Sequence, residues 1–475
     1  MPVRVMLSNR WARFLNWYPE ELVDLFSYRR PGYFFSPKFR SRVWDGRIKI
    51  LKYRKVPAGA FLQFKSEIEK LGIDLEVTDA RSLPEFRSAS KSDRAFQNEC
   101  VSVMKKNSNC GGIIKCATGA GKTRIAGMYL MDLRGRAVFI VDELTLLDQA
   151  KKSLEETTGE TVGVIGEGIF APERITVATV QTLHANRRTL RFKEWARKIK
   201  VVIIDELHEA LSKRNVGVLA AIPAYAVFGL TATIQLQKKE VLLKATALCG
   251  PVIYEFSYSA GVKKKFLSPG VCVGVDINRS TDSYYEPLEA YKKYIVRSNK
   301  RNTIVEDLVR EAYARDKHIV VLVEFTDHIR RLSERLSDIP HKVVSGAVKK
   351  KERVRIKRLF DKGKLRVVIT NKVFKKGVDI PAIDFVIEAA NRKSANDVQQ
   401  KFGRGTRNKR RKAGLIYIDI GEVGQLNRFR KSTASRRRTL KGIGVPVKTV
   451  DSSTSAEDII EIAEAMLKKL RRSLK

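Results

Sequence analysis

The sequence predicts an α/β protein in which two doubly wound parallel-sheet domains follow a small N-terminal α+β domain, and three observations predict it. First, the run Gly111-Gly112-Ile113-Ile114-Lys115 passes through Cys116-Ala117-Thr118-Gly119-Ala120-Gly121-Lys122-Thr123 into Arg124-Ile125-Ala126-Gly127-Met128-Tyr129-Leu130, which reads as strand, small-residue loop and helix. Second, the β-branched run Val201-Val202-Ile203-Ile204 has the character of a buried strand and ends in Asp205-Glu206-Leu207-His208. Third, strand-like runs separated by helical stretches recur from about residue 259, in a unit with no phosphate loop of its own. The expected domains are residues 1–88, 89–258 and 259–450, with a C-terminal helix over 451–475.

In order, residues 1–88 mix short β-like runs with one helical segment and hold a basic, aromatic block. Tyr33, Phe34, Phe35, Phe39, Trp44 and Tyr53 are interleaved with Arg40, Arg42, Arg47 and Lys49. Such interleaving can place phosphates on cations and bases or sugars on rings. The rings can equally form the core of a small domain that leaves only the cations outside. The polar stretch Asp79–Ser92, which carries Pro84, reads as a linker.

Gln97 follows, some 25 residues before Lys122; its amide carries a donor and an acceptor together and can pair with the N6 and N7 edge of adenine. In the loop, small residues at Thr118, Gly119, Ala120 and Gly121 let backbone N–H groups close around a polyphosphate at a helix N-terminus. Lys122 would reach the β- and γ-phosphates, and Thr123 would offer its hydroxyl to Mg²⁺. The full pattern has glycine at its first position, where this chain has Cys116. Ala137–Val141 reads as a strand, Thr145–Gln149 starts a helix, and Val177–Leu183 reads as a strand with a hydroxyl-rich end that offers Thr179 and Gln181 to a nucleic-acid strand. At the acidic motif Asp205 can hold Mg²⁺ and Glu206 can orient or deprotonate an attacking water. Gly229-Leu230-Thr231-Ala232-Thr233 comes about 25 residues later. Ligands of such a sheet lie at the strands' C-terminal ends.

In the second unit, strands are expected near Val271–Val275, Ile319–Val323, Arg366–Ile369, Phe385–Ile387 and Leu415–Ile418. It offers Thr370 as a strand contact, then Gly377 and Asp379, then Gln400-Lys401-Phe402-Gly403-Arg404-Gly405-Thr406-Arg407. Arg404 and Arg407, three apart, share one side of a helix and can both face a phosphate. The basic run through Arg436, Arg437 and Arg438 reads either as a nucleic-acid contact or as a solvated face. An amphipathic helix is expected from Ala456 to about Leu470.

The 475 residues exceed what one core organises, and 92 Lys and Arg against 52 Asp and Glu give a net charge of +40. That excess points to a polyanionic partner, first of all nucleic acid. Anionic membrane is the rival partner, and the lack of an apolar run of about 18 residues, of a secretory-signal pattern and of a lipidation motif counts against it. Five cysteines without a C-x-x-C pair argue against a zinc site or a disulfide framework and fit reduced thiols in the cytoplasm.

Taken together, these residues resemble the ordered motif series of superfamily 2 helicases over roughly residues 94–410. Gln97 is similar to the adenine-reading glutamine, Ala117–Thr123 to motif I, Asp205–His208 to a DExH-type motif II, Thr231–Thr233 to motif III, Gly377 and Asp379 to motif V, and Gln400–Arg407 to motif VI. The resemblance implies two RecA-like domains forming an ATP cleft, with ATP and Mg²⁺ as cofactors and Arg404 and Arg407 as phosphate partners. Asp142-Glu143 stands where motif Ia usually has Pro-Thr, and Lys401 stands where motif VI usually has arginine. The block around Trp44-Asp45-Gly46-Arg47-Ile48-Lys49 further resembles the phage UvsW-type helicases. That likeness implies branch migration and fork regression on branched or forked DNA, in recombination and repair, in a host cell's cytoplasm. An ATP-gated duplex-binding remodeller and an RNA helicase are the alternatives that share the same ATP motifs.

Overall fold

In the computed structural model, residues 1–87, 91–233, 236, 238–279, 286–371, 383–391, 395–406, 413–424 and 427–474 are described. They group into two compact units, Met1–Cys116 with Gly121–Phe256, and Ser257–Lys475 with Ala117–Ala120.

The N-terminal strands are β1 (Val3–Leu7), β2 (Trp11–Phe14), β3 (Ser27–Arg29), β4 (Arg47–Lys49), β5 (Lys55–Pro57) and β6 (Leu75–Asp79). Strict alternation in β1 and β2 turns Val3, Val5, Leu7, Ala12 and Phe14 inward, as a half-buried sheet requires. Four of the strands form a sheet in the order β5-β2-β1-β6, while β3 and β4 make a separate antiparallel ribbon. The helix Ala58–Lys70 closes the core with Phe61, Phe64 and Ile68. Phe14, Phe26, Phe61 and Phe64 supply the core's rings, so the aromatic block lies outside it. Phe34, Phe35 and Tyr53 are exposed, and Tyr33, Phe39 and Trp44 are half-buried; the expectation that these rings form the core is corrected.

This core takes in Leu243, from the helix Lys239–Cys249 of the adjoining parallel-sheet region. The two helices meet at Gly59, where a Cβ would lie 2.4 Å from the Thr246 carbonyl oxygen and 2.6 Å from the Gly250 nitrogen. Only glycine allows that approach.

The first parallel sheet is built from β7 (Gly111–Cys116), β8 (Arg136–Val141), β9 (Val162–Gly166), β10 (Ile169–Ala171), β11 (Ile175–Thr179), β12 (Ile199–Ile204), β13 (Ala226–Thr231) and β14 (Val252–Phe256). Their order is β10-β9-β11-β8-β12-β13-β7-β14, with only β10 antiparallel. Central strands such as β11 and β13 are buried at every residue, consistent with helices on both faces. The strand expected over Val177–Leu183 ends at Thr179, because the Thr179 hydroxyl caps the helix Val180–Asn186 by accepting from the Thr182 N–H.

The second unit repeats the scheme with β15 (Gly270–Ile277), β16 (Ile319–Leu322), β17 (His341–Val344), β18 (Val367–Thr370), β19 (Phe385–Glu388), β20 (Leu415–Glu422) and β21 (Val447–Asp451), ordered β17-β18-β16-β19-β20-β15-β21 and parallel throughout. The C-terminal helix Ala456–Arg472 inserts Ile459, Ile460, Ala463 and Leu467 into this core. The basic run through Arg436 is neither a solvated face nor a nucleic-acid contact at its two central residues: Arg436 and Arg437 are buried and donate to Asp419 of β20 at 2.6 and 2.9 Å. No helix among the described residues is long and apolar enough to cross a membrane.

Gly59→Ala should push the two helices apart and cost about 1–3 kcal/mol, the usual range for overpacking. A lower urea midpoint for the first unfolding transition is the expected result.

Candidate active site and nucleic-acid interface

Because β12, β13 and β7 are neighbours and run parallel, the loops after them emerge side by side at one edge of the sheet. That edge is where a doubly wound fold binds its ligand. After β7 the chain turns through Gly121, at φ 85°, directly into the helix Lys122–Asp132. A Cβ on Gly121 would lie 2.8 Å from Gln97 Nε2, so the glycine lets the glutamine amide sit against the loop. Gln97 is buried, and Ser92 donates to its Oε1 at 2.7 Å. Lys122 and Thr123 occupy the first turn of the helix, half-buried.

After β12, Asp205 and Glu206 stand opposite that turn. Glu206 Oε1 lies 3.4 Å from Lys122 Nζ. Glu206 adopts φ 48° and ψ 59°, a left-handed conformation that non-glycine residues hold at a cost and that concentrates at functional sites. Its N–H donates to Asp205 Oδ1 at 3.1 Å. Burial, with Glu206 beside it, raises the Asp205 carboxyl to about 6, while Lys122 works the other way. His208 Nδ1 is 3.5 Å from Glu206 Oε2 and 3.4 Å from both the Thr231 and Thr233 hydroxyls. The imidazole therefore connects the acidic motif to the strand end of β13.

Among the described residues no group of three or more His, Cys, Asp or Glu side chains could hold a metal ion by itself. A divalent cation here would draw on Asp205, the Thr123 hydroxyl and the oxygens of a bound polyphosphate, the incomplete protein shell typical of Mg²⁺. The half-buried Asp205, its carboxyl pushed up by desolvation and by the carboxylate of Glu206, fits that role, since a cation relieves both unfavourable contributions.

The other expected residues fall into three groups. Thr179 and Thr370 are fully buried: the hydroxyl of the first caps a helix and that of the second donates across strands to the Val344 carbonyl of β17 at 2.7 Å, so both hydroxyls are engaged inside the fold and not as contacts to a nucleic-acid strand. Gln181 is exposed and donates to the Asp142 carbonyl at 2.8 Å. Gly377, Asp379 and Arg407 lie outside the described residues. Arg404 sits on the helix Ala395–Gly405, which is fixed from below by Lys401. Lys401 Nζ lies 2.7 Å from Glu388 and 3.2 Å from Asp397, and Tyr417 donates to Glu388 at 2.8 Å. Burial opposes the Lys401 charge, but the two carboxylates hold its pKa above that of an ordinary lysine. Sequence reasoning flagged Lys401 as a departure and missed these partners, because Glu388 lies on another strand.

In the N-terminal region, Phe34, Phe39, Arg40, Arg42, Trp44 and Lys49 line an open groove of about 930 Å³. Arg40, Arg42 and Lys49 are exposed. Trp44 donates its indole N–H to the Arg47 carbonyl at 2.8 Å, and Arg47 donates to Ser27 Oγ at 3.1 Å. Those two side chains brace the groove that the exposed cations line.

Comparison with known proteins bears on both regions. The family model for the res subunit of type III restriction enzymes matches residues 89–236, that for the helicase conserved C-terminal domain matches 300–409, and that for the N-terminal region of the DNA helicase UvsW matches 18–77. The chain is 25% identical over 426 residues to the ATP-dependent DNA helicase uvsW of Enterobacteria phage T4, covering 81% of this chain and 83% of that protein. It is 27% identical over 424 residues to the DNA 3'-5' translocase XPB2 of Sulfurisphaera tokodaii, covering 79% and 92%. Among solved structures, S. cerevisiae Dbp5 bound to RNA and ADP BeF3 aligns with a TM-score of 0.55 at 16% identity, over 80% of this chain and 93% of that one, a likeness of fold.

Lys401→Met should leave Glu388 buried without its cation and destabilise the second unit by about 3–5 kcal/mol. Urea unfolding of that unit checks this, and Lys401→Arg should recover part of the loss.

Proposed function

We propose that this chain, a superfamily 2 helicase of the DExH type and an ATP-hydrolysing enzyme stimulated by nucleic acid, remodels branched DNA, by branch migration or fork regression. The supporting observation is that a basic surface, the groove of Arg40, Arg42 and Lys49, exists in a region separate in sequence from every ATP motif. A motor that tracks along a strand needs one strand-binding surface; a motor that acts at a junction needs a further grip on duplex. The family model for the N-terminal region of the DNA helicase UvsW matches residues 18–77, which include this groove.

In the proposed cycle the γ-phosphate draws Lys122 from Glu206, and Glu206 Oε1 becomes available to orient or deprotonate the attacking water. Thr118, Gly119 and Ala120 present backbone N–H groups to the phosphates, and Gln97 reads adenine. Asp205 and Thr123 would hold Mg²⁺, which when bound would neutralise charge on the phosphate oxygens. Arg404 and Arg407 are assigned to the charge of the transferred phosphoryl group, the role arginines play in this chemistry. His208 reports the state of the acidic motif to Thr231 and Thr233. The site of action is the cytoplasm of the cell that holds the DNA.

Lys122→Ala should abolish hydrolysis, whereas Glu206→Gln should keep ATP bound but uncleaved, losing on the order of a hundredfold or more in kcat, at the low end of what positioned proton transfer contributes. ATPase rates beside nucleotide-binding titrations separate the two, and normal turnover in either variant removes that residue from its role. Replacing Arg40 and Arg42 with Ala should lower the slope of log affinity against log salt for four-way DNA by roughly two phosphate contacts, while single-strand-stimulated ATPase stays largely intact. An unchanged slope, together with undiminished junction processing, would place the groove outside the DNA path.

A further inference from the structure

A second cavity of about 820 Å³ lies within the first unit, where the N-terminal strands meet the helix Lys239–Cys249. Its size suits a ligand larger than any one side chain. Trp11, Tyr28 and Tyr53 bring rings to its wall, with Ile48, Ile50 and Leu248 as apolar neighbours. Trp11 is 44% exposed and Tyr53 is 95% exposed, so both rings present faces that the fold itself does not cover.

The polar part of the wall is almost wholly cationic. Its carboxylate, Glu240, is held by Lys244 at 2.5 Å. Burial and then Glu240 push the Tyr28 phenol up to about 12, so it stays a neutral donor. Lys52 and Lys55 have no ion-pair partner among the described residues. Arg10 is the most informative member: one arm of its guanidinium donates to the Ala220 carbonyl, while Nη1 is buried with no hydrogen-bond partner. Burial lowers its pKa. A buried donor left unmatched costs free energy that an incoming acceptor would recover.

Rings plus unmatched cations describe a receptor for a planar base carrying a phosphate. Lys49 and Lys52 line both this cavity and the open groove assigned above to DNA, so the two are neighbours that share part of a wall at and just beyond the end of β4. We propose that the cavity receives one unpaired nucleotide of a DNA strand lying in that groove, its base against Trp11 and Tyr53 and its phosphate toward Arg10 and Lys55. The proposal rests on the DNA reading of the groove and deepens it. Extruding a paired base costs a few kcal/mol, and an already unpaired base costs least. The cavity would thus select bulges and branch points over perfect duplex.

The test uses the full chain with two duplexes that differ only in one unpaired 5-iodouracil nucleotide. Wild type should bind the bulged duplex at least about tenfold more tightly, the order expected for one stacked base, and light should crosslink the base to Trp11 or Tyr53, as mapped by mass spectrometry. Ala247→Trp, which fills the cavity from the helix Lys239–Cys249, should erase the preference while leaving affinity for paired duplex unchanged. Trp11→Ala, at a solvent-exposed position, should do the same without any demand on packing. Equal wild-type affinity for the two duplexes, crosslinks elsewhere, or an equal loss on both duplexes in both variants would overturn the proposal. So would competition by free deoxyuridine monophosphate at concentrations comparable to the DNA, since that marks a free-nucleotide site. Failure of the parent reading looks different: replacing Arg40 and Arg42 with Ala would then leave affinity for both duplexes unchanged.

Discussion

The contact between Lys122 and Glu206 is the interaction on which the rest of the first unit's active edge depends. It exists because β7 and β12 are separated only by β13 in a parallel sheet, so a lysine following one strand and a carboxylate following another emerge at the same edge. Residues 84 positions apart in sequence thus become an ion pair with no long-range design beyond strand order. The same geometry brings Thr231 and Thr233 of the intervening strand to His208. A change at the phosphate loop therefore has a short physical route to the end of β13, through one carboxylate and one imidazole.

The second unit is organised by charge buried in an apolar sheet. Lys401 with Glu388 and Asp397, Arg301 with Glu422, and Arg436 with Arg437 on Asp419 are all nearly inaccessible. Each group is costly to bury alone and tolerable only with its partner in place. Such pairs penalise small rotations of a helix more sharply than leucines do. One of them, Lys401 with Glu388, fixes the helix Ala395–Gly405, which carries Arg404, against the sheet.

Both parallel sheets were legible because buried strands advertise themselves as β-branched runs, and the phosphate loop because its small residues have few other uses. Val180–Leu183 misled: the valine and threonine spacing continues the strand pattern, and only the Thr179 hydroxyl, turned onto the Thr182 N–H, starts the helix. Arg436 and Arg437 looked solvated because their partner Asp419 sits on a different element, and pairings of that kind leave no local trace. The aromatic block looked like a core because rings usually are; the actual core was already filled by Phe14, Phe26, Phe61 and Phe64. Leu243 reaching into the N-terminal core was invisible for the same reason as Asp419.

We propose that one ATP site serves a motor directed to branched DNA by its N-terminal groove. The most direct measurement is the steady-state ATPase rate of the full chain titrated with a four-way junction and, separately, with linear duplex of the same length and composition. Half-maximal stimulation at a clearly lower concentration of junction than of duplex is the predicted result. Identical curves for the two DNAs, or stimulation by RNA alone, would contradict it.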